Sequence, residues 1–412
     1  MHPLSNIRVV EIANFLAGPF CSMQLADLGA DVIKVEPPNG GDKERASAPF
    51  INGEGSGFMR FNRNKRSVAI DLKTEEGIET TCKLIDEADI LVQNLRPGSM
   101  NRLGLGYEAM HARNPELIYI SASGWGQSGP LALHPGLDIM AQARSGMISV
   151  TGPEGGEGVK VGFPVCDLVC GIYGALGAVA ALQARNETGL GQHIDVNLFE
   201  SGMSLAVWEA ARYFANGDVP VPQGTAHAIS APYQVLKAAG SSSFAVGAVT
   251  PSAFEALCTV TGTTELLDDE RYVDKNTRRA HRNELVAALE AATTTKPASH
   301  WVAELEKAGV PCAPVQSYDQ SFNDEHLLAR EFFWDSEHPA AGRVRQMGSA
   351  MSFSETPTRR DSAGPMLGEH TRSVLSDLGY APDRIDMLLE SEVIAQAEVP
   401  TAQEQEAVPA HA

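Results

Sequence analysis

The sequence predicts an α/β protein with a Rossmann-like large domain and a smaller α/β domain inserted into it. Two observations predict this arrangement. Apolar strands alternate with helical segments through residues 1–200, and the pattern changes between residues 225 and 330 before strand and helix signals return. The length of 412 residues and the hydrophobic content of 43% suit two or three domains with substantial cores.

The first 200 residues carry the repeating strand–helix pattern. Residues 7–12 (IRVVEI) and 30–36 (ADVIKVE) are predicted strands, and residues 20–29 form a predicted helix between them. The pattern continues with strands at 67–72 and 89–95 and within 115–126, a helix at 75–88, and a strand leading into a helix at 191–201. Apolar strands that are each followed by a helix are typical of a mostly parallel sheet covered on both faces.

The remainder of the chain divides by composition. Residues 201–224 are predicted to be a linker, and residues 225–330 a small α/β domain that begins with two strands around Gly240. Residues 331–394 are predicted to be a linker that returns to the large domain. The polar tail 395–412, rich in Ala, Pro and Glu, is predicted to be disordered.

Composition argues against several classes of protein. The formal net charge of −20 disfavours nucleic-acid binding. The six cysteines include no CxxC pair and no zinc-like cluster, so we expect reduced thiols, no metal site and a cytoplasmic protein. No signal-peptide pattern is evident at the start. The longest apolar run, Leu168–Leu182, is Gly-rich and shorter than a membrane span, which predicts a buried helix and no membrane partner.

Two features near the start suggest ligands, and each has a structural alternative. Glu36 ends the second strand, where an acid binds ribose in nucleotide enzymes, but the loop NFLAGP lacks the GxGxxG pattern, which argues against NAD. The basic block NRNKRS (62–67) is either a solvated loop or a phosphate-binding segment.

Asp167 is the lone charged residue inside the segment 160–185. One interpretation is a helix N-cap, which Asp favours. The other is a nucleophile toward an activated acyl group, kept ionised at pH 7 by the helix dipole. Cys166 and Cys170 are expected to pack as small apolar residues. The small residues that follow suggest close approach of another backbone, as in tight subunit packing: Gly171, Gly174, Ala175 and Gly177.

Five ordered blocks together resemble one known family, the class III CoA-transferases (formyl-CoA transferase and carnitine CoA-transferase, or CaiB/BaiF-like proteins). The similarity extends from about residue 6 to residue 390. The blocks are VVEIANFLAGPFCSMQLADLGADVIKVEPPNGGD, NRNKRSVAIDLKTEEG, LRPGSMNRLGLGYE, SASGWGQSGPLALHPGLDIMAQARSGMISVTG and VGFPVCDLVCGIYGALGAVAAL.

The resemblance implies that Asp167 is the catalytic nucleophile of an enzyme. The acyl group of a CoA thioester passes to its carboxylate as a mixed anhydride, and CoA then forms an aspartyl-CoA thioester. The resemblance also implies an interlocked homodimer. Coenzyme A enters as a thioester substrate, and no permanently bound cofactor or metal is expected.

The family's CoA-binding positions are implied to fall on Asn14, Phe15, Ala17, Leu72, Lys73, Asn94, Leu95 and Arg102. Arg102 matches a phosphate-binding Arg of the family and is expected to bind phosphate ahead of any residue of the block 62–67, and Asp138 matches an acidic position near the active centre. Pro37 and Pro38 stand where some members carry a basic residue. The loop 224–234 carries His227 where formyl specialists have glycine, which favours a succinyl-CoA donor and a dicarboxylate acceptor. His227 either contacts the acceptor or is a surface residue.

Two rival functions remain open within the same fold. An α-methylacyl-CoA racemase requires a His immediately before Asp138, and Leu137 stands there instead; leucine exchanges no proton. A non-catalytic CoA-binding protein is the second rival.

Overall fold

The computed structural model describes residues 1–398, which form two compact units. The large unit comprises residues 1–147, 161–210 and the described chain from His326 onward. The small unit comprises residues 148–160 and 211–325. The predicted boundaries differ from these, because residues 148–160 were assigned to the large domain.

The described strands are, in chain order, β1 (Arg8–Ile12), β2 (Asp31–Glu36), β3 (Phe50–Ile51), β4 (Glu54–Gly55), β5 (Lys65–Ile70), β6 (Ile90–Gln93), β7 (Ile118–Ser123), β8 (His193–Asn197), β9 (Tyr233–Lys237), β10 (Ser243–Gly247), β11 (Cys312–Pro314), β12 (Phe333–His338), β13 (Gly342–Met347) and β14 (Ile394–Ala395).

The described α-helices are α1 (Ala17–Asp27), α2 (Ser56–Phe61), α3 (Glu75–Asp86), α4 (Ser99–Arg102), α5 (Tyr107–Arg113), α6 (Asp138–Arg144), α7 (Met147–Val150), α8 (Val165–Thr188), α9 (Leu198–Ser204), α10 (Val207–Asn216), α11 (Pro251–Thr261), α12 (Lys275–Ala280), α13 (Arg282–Thr293), α14 (Ala298–Lys307), α15 (Tyr318–Ser321), α16 (Glu325–Ala329), α17 (Thr371–Asp377) and α18 (Pro382–Glu390).

The large unit is built on a seven-stranded sheet in the order β14-β5-β2-β1-β6-β7-β8. All neighbouring pairs are parallel except β14, which runs antiparallel to β5 at the edge. The strand order reverses between β1 and β6. In open parallel sheets such a reversal leaves a crevice at the carboxyl ends of the strands, where ligands bind.

Helices cover both faces of this sheet because side chains alternate along each strand. Val9 of β1 packs with Leu25 of α1 and Ala178 of α8. Its neighbour Val10 belongs to the opposite core cluster, with Leu84 of α3 and residues of α5, α17 and α18. The mostly parallel, doubly covered sheet predicted from the strand–helix pattern is therefore confirmed.

Glycines let α8 approach α1 of the same chain. A Cβ atom on Gly171 would lie 3.0 Å from the carbonyl oxygen of Ala17, and one on Gly174 would lie 2.8 Å from Sγ of Cys21. A Cβ on Gly177 would lie 3.2 Å from Ile194 of β8. At these three contacts the glycines serve packing within the chain. The prediction that the glycines serve packing between subunits is therefore wrong for them.

Helix α8 has 24 residues and is longer than the apolar run in its sequence. Among the described helices, α8 alone has the length and composition to cross a membrane. This is a weak indication, because the core helices of soluble proteins meet the same two criteria. Its buried residues include Cys166, Cys170 and Ala178, which pack in the clusters beneath the sheet. This packing agrees with the predicted buried helix along one face only, because 44% of its most apolar stretch is buried and Ile172 and Leu176 are exposed.

Four buried charges form a network at the carboxyl end of β1. Lys34 Nζ lies 2.6 Å from Glu11 Oε1 and 2.8 Å from Asp42 Oδ2, and Lys65 Nζ lies 2.8 Å from Glu11 Oε2. Burial alone would raise the pKa of Glu11, but the charges of Lys34 and Lys65 outweigh it and lower the pKa to about 2. The glutamate is therefore held ionised within the core.

The basic block 62–67 is part of this interior and is neither a solvated loop nor a phosphate site. Arg63 is buried and pairs with Asp27, while Lys65 pairs with Glu11. Arg66 pairs with Asp31 and with Asp377. Both sequence-based interpretations were wrong because the block belongs to β5 and the turn before it, beneath other elements.

Glu36 likewise has a structural partner. Its carboxylate accepts two hydrogen bonds from Arg45, each of 2.7 Å, and one of 2.6 Å from Ser67 Oγ. The carboxylate is buried by these contacts. This occupancy leaves no free carboxylate oxygen pointing at a nucleotide ribose.

The small unit has its own core around the antiparallel sheet β11-β10-β9. The predicted pair of strands at 231–249 corresponds to β9 and β10, and Gly240 in the turn between them adopts a φ of 67°. Phe244 of β10 packs with Leu257 of α11, Leu285 of α13 and Trp301 of α14.

The segments expected to be linkers contain regular structure. The range 201–224 includes the end of α9 and all of α10. The range 331–394 includes the hairpin β12–β13, α17 and α18, and ends in β14. The predicted tail overlaps this last strand, because Ala395 pairs with Ala69 of β5. Residues 399–412 lie outside the described residues.

We expect Lys34→Met to lower the free energy of unfolding by about 3–5 kcal/mol, since it leaves the buried carboxylate of Asp42 without its cation. Urea unfolding monitored by circular dichroism measures the change. The control is Lys83→Met, which removes an exposed pair with Glu79 and costs less than about 1 kcal/mol. Equal losses for the two variants would contradict the importance of the network.

Candidate active site

The N-terminus of α8 is capped by a carboxylate from another helix. Asp138, the first residue of α6, accepts hydrogen bonds through Oδ1 from the backbone N–H groups of Cys166 (2.8 Å) and Asp167 (3.4 Å). Asp167 itself lies in the first turn of α8. The N-cap interpretation of Asp167 is therefore wrong, because Asp138 performs that task and leaves the Asp167 carboxylate for another.

The surroundings of Asp167 make its carboxyl group a weak acid. Burial, and then the negative charge of Asp138, raise its pKa to about 7. The expectation that the helix dipole keeps it fully ionised at pH 7 is wrong, because burial and a neighbouring like charge outweigh the dipole. Near neutral pH the group is divided between its acid and carboxylate forms.

The two cysteines beside Asp167 have no chemical role in the geometry. Cys166 and Cys170 are buried with Ala17, Ala122 and Leu198, as expected for small apolar residues. All six cysteines are free, and burial raises the pKa of Cys166 to about 12, so the thiol is protonated. Across residues 1–398 no three His, Cys, Asp or Glu side chains gather as a metal site.

Gln142 was missed by the sequence analysis. It is fully buried in α6 and donates a 2.6 Å hydrogen bond from Nε2 to Asp138 Oδ2. An Asp and a Gln four residues apart face the same side of a helix, so the spacing in DIMAQ was the available signal. That spacing is common on helix surfaces, and only the burial distinguishes this instance.

The loop between β1 and α1 is held rigidly at the reversal point of the sheet. The Asn94 amide accepts from the backbone N–H of Asn14 (2.8 Å) and donates to its carbonyl oxygen (2.6 Å). Phe15 adopts a left-handed φ of 61°, and Asp42 accepts from its N–H at 3.0 Å. The Phe15 side chain remains 47% exposed, which leaves its ring available to a ligand.

The packing of α8 on α1 brings this loop beside Asp167. Gly171 lies one turn after Asp167 and contacts Ala17, the first residue of α1. The structure thus gathers Asp138, Asp167 and the segment Asn14–Ala17 at one end of the large unit.

The remaining predicted CoA contacts follow the carboxyl ends of β5 and β6, which lie on either side of β2 and β1 in the sheet. Lys73 comes after β5, Leu95 after β6, and Arg102 ends α4. Lys73 and Arg102 are exposed, and Leu72 packs against the core cluster below. A further exposed cation, Lys43, lies 5.9 Å from the centre of the Phe15 ring. Exposed positive charge on this edge of a protein with net charge −20 suits a phosphorylated ligand.

The last two predicted positions lie in different units. Leu137 is 61% exposed immediately before α6. His227 belongs to the small unit, where its ring stacks on Tyr233 at 4.8 Å and its Nδ1 accepts from the N–H of Ile229.

Comparisons with known proteins agree on one family. The model of CoA-transferase family III matches residues 4–371. The chain is 36% identical over 400 residues to the Mus musculus succinyl-CoA:glutarate CoA-transferase, which covers 97% of this chain and 92% of that protein. It is 36% identical over 384 residues to the Agrobacterium fabrum succinate–glutarate CoA-transferase, covering 91% and 96%. A crystal structure of a CaiB/BaiF family protein from Brucella suis matches with a TM-score of 0.84 and 37% identity, covering 92% and 99%.

The raised pKa of Asp167 predicts a pH-dependent cost to folding. An unfolded Asp ionises near pH 4, whereas the folded group ionises near pH 7, so ionisation destabilises the native state as the pH rises between these values. We expect Asp167→Asn to raise the free energy of unfolding by roughly 4 kcal/mol at pH 8, with the gain vanishing near pH 4. Urea unfolding at both pH values measures it, and a pH-independent difference would contradict the assignment.

Proposed function

Because this chain belongs to CoA-transferase family III, an enzyme family, we propose that it moves CoA from succinyl-CoA to a dicarboxylic acid of the glutarate type, with Asp167 as nucleophile. The observation that carries the choice of nucleophile is the position of Asp167 in the first turn of α8, whose backbone N–H groups are capped by Asp138 and which packs beside the Asn14–Ala17 loop. The relatives' names support the choice of donor and acceptor.

The proposed reaction proceeds through four acyl transfers. The Asp167 carboxylate attacks the thioester carbonyl of succinyl-CoA. A C–O bond forms and the C–S bond breaks, so CoA departs as a thiolate and a mixed anhydride of Asp167 and succinate remains on the enzyme. The thiolate then attacks the Asp167 carbonyl, which releases succinate and forms an aspartyl-CoA thioester. The acceptor carboxylate attacks this thioester, again expelling thiolate. Finally the thiolate attacks the acceptor's acyl carbon, which yields the new acyl-CoA and restores Asp167.

The environment of Asp167 suits this role in two ways. A carboxylate whose pKa is near 7 is a stronger base, and hence a stronger nucleophile, than an exposed aspartate. Its position in the first turn of a 24-residue helix also places developing negative charge at the positive end of the helix dipole. The four steps need no metal and no redox group, and a permanently bound cofactor is not part of the proposal.

The CoA portion is proposed to lie across the carboxyl ends of β1, β5 and β6. Phe15 offers an exposed ring, while Lys73 and Arg102 offer cations to the phosphates. Asn94 is proposed to act through Asn14, because both ends of its amide already bond to the Asn14 backbone. His227 is proposed to contact the acceptor acid.

The rival activities have less support. Racemisation needs a second acid–base group opposite the substrate, and Leu137, before Asp138, supplies none. A non-catalytic CoA-binding role would not explain why the first turn of α8, which carries Asp167, is held at its backbone N–H groups by Asp138, itself bonded to Gln142.

The assembly is proposed to be an interlocked homodimer, with the small domain inserted into the large one. Exposed apolar side chains along α8 support a second copy as the partner, because a face of this kind favours burial in water. They are Ile172, Tyr173, Leu176 and Val179. A cytoplasmic location is also proposed, on the basis of six cysteines without a disulfide.

Covalent trapping tests the nucleophile. Incubation with succinyl-CoA followed by hydroxylamine or borohydride is expected to leave a mass change on the peptide containing Asp167, located by mass spectrometry. Asp167→Ala is expected to lower the transfer rate at least about 1,000-fold while the fold is retained. The control is Asp86→Ala, an exposed carboxylate of the same unit, which should transfer normally. Near-normal transfer by Asp167→Ala would refute the mechanism, and an acceptor panel that includes oxalate and glutarate tests the substrate.

Arg102 provides a test of the CoA site. Arg102→Ala is expected to raise the KM for succinyl-CoA about 10-fold with kcat nearly unchanged, since it removes a phosphate contact made equally in the ground and transition states. Arg113→Ala, which removes an exposed Arg paired with Asp86, is the matched control. An unchanged KM in steady-state assays at low salt would remove Arg102 from the site.

A further inference from the structure

Gln142 joins three parts of the large unit from a fully buried position. Its Nε2 donates to Asp138 Oδ2 at 2.6 Å and to the carbonyl oxygen of Phe163 at 3.4 Å. Its Oε1 accepts from the backbone N–H of Val161 at 2.9 Å. The amide is thus used at both ends, and Asp138 is its side-chain partner.

These bonds determine which way the Asp138 carboxylate faces. With Oδ2 held by Gln142, Oδ1 is directed at the N–H groups of Cys166 and Asp167. Without the bond from Gln142, the Asp138 carboxylate would keep these two N–H donors but would be less firmly oriented, because its terminal torsion has broad minima. Gln142 therefore determines the geometry of the cap on α8.

The same amide holds the chain that enters the helix. Val161 and Phe163 lie immediately before Pro164, and α8 begins at Val165. One buried side chain therefore fixes both the capping carboxylate and the backbone leading to Asp167. Two attachments that converge on the first turn of a helix leave the Asp167 Cα little freedom to shift.

We propose that Gln142 is a positioning residue for CoA transfer: it holds Asp138 and the 161–163 backbone so that the Asp167 carboxylate meets the thioester carbonyl. The inference rests on the proposed function, in which Asp167 is the nucleophile. Gln142 acts through these two attachments and does not itself touch the acyl group.

The effect should fall on the chemical step. A nucleophile displaced by about 1 Å loses on the order of 100-fold in rate. The residues proposed to bind CoA, among them Phe15, Lys73 and Arg102, lie on other segments and do not depend on Gln142 for their hydrogen bonds. Affinity for the CoA portion should therefore be preserved when Gln142 is changed.

The first test is Gln142→Met, which keeps the length of the side chain and removes its hydrogen bonds. Single-turnover acylation of Asp167 by succinyl-CoA, quenched and measured by mass spectrometry, should slow by roughly 10- to 100-fold. The KM for succinyl-CoA should stay within about twofold. The matched control is Gln346→Met, which removes another buried glutamine that bonds to Met59 and Ser336, and should acylate at the normal rate.

The second test is Gln142→Glu, which keeps the shape and the oxygen that accepts from Val161. When ionised, the introduced carboxyl faces Asp138 and adds negative charge near Asp167. Like charges disfavour ionisation, so the pH of half-maximal acylation should rise by about one unit. This shift follows from the added charge under either role, so the rate on the plateau above that pH is the decisive readout. A positioning role predicts a plateau rate at least about 10-fold below wild type with an unchanged KM, and a purely structural role lowers thermal stability and leaves the plateau rate unchanged. If Gln142→Met fails to fold, the pH profile of the acylation rate of Gln142→Glu is sufficient to decide between a positioning role and a purely structural one.

The outcomes separate this inference from the proposed function. Wild-type protein that forms no adduct on Asp167 overturns both. Wild-type protein that forms the adduct, together with Gln142→Met that forms it equally fast, overturns the positioning role alone. Slow acylation with an unchanged KM in Gln142→Met, or a lowered plateau rate with an unchanged KM in Gln142→Glu, supports it.

Discussion

The close packing of α8 against α1 is the contact on which the site depends. Gly171 and Gly174 allow it, because a side chain at either position would meet the carbonyl of Ala17 or the sulfur of Cys21. The contact places the first turn of α8 next to the loop that leaves β1. Since β1 borders the reversal point of the sheet, this packing places the proposed nucleophile beside the crevice in which open parallel sheets usually bind ligands.

Two carboxyl groups of the large unit, those of Glu11 and Asp167, have pKa values that are shifted in opposite directions. Glu11 is surrounded by the cations of Lys34 and Lys65, and its pKa falls to about 2. Asp167 lies beside another carboxylate, Asp138, and its pKa rises to about 7. The first arrangement supports the fold because both signs are present. The second costs folding free energy and yields a basic, nucleophilic carboxylate, as expected where stability is exchanged for reactivity.

The parts of the site that the sequence indicated share one property: they depend on near neighbours along the chain. The strands and helices of the large unit follow from local apolar patterns, and Asp167 was noticeable as a lone carboxylate in an apolar segment. The block at 62–67 shows the limit of that approach. Its charges look solvent-exposed by composition, yet Asp27 and Glu11, distant in sequence, supply partners that allow Arg63 and Lys65 to be buried.

The sequence by itself determined the α/β class and the alternation of strands and helices in the large unit, because these follow from side-chain periodicity, and its motifs singled out Asp167 as the proposed nucleophile. Only the tertiary structure decided how that residue is held and how it titrates. The cap from Asp138, the support from Gln142 and the raised pKa of Asp167 arise from groups 25 or more residues away. Contacts across such separations depend on which elements pack together, and no local pattern in the chain encodes that choice.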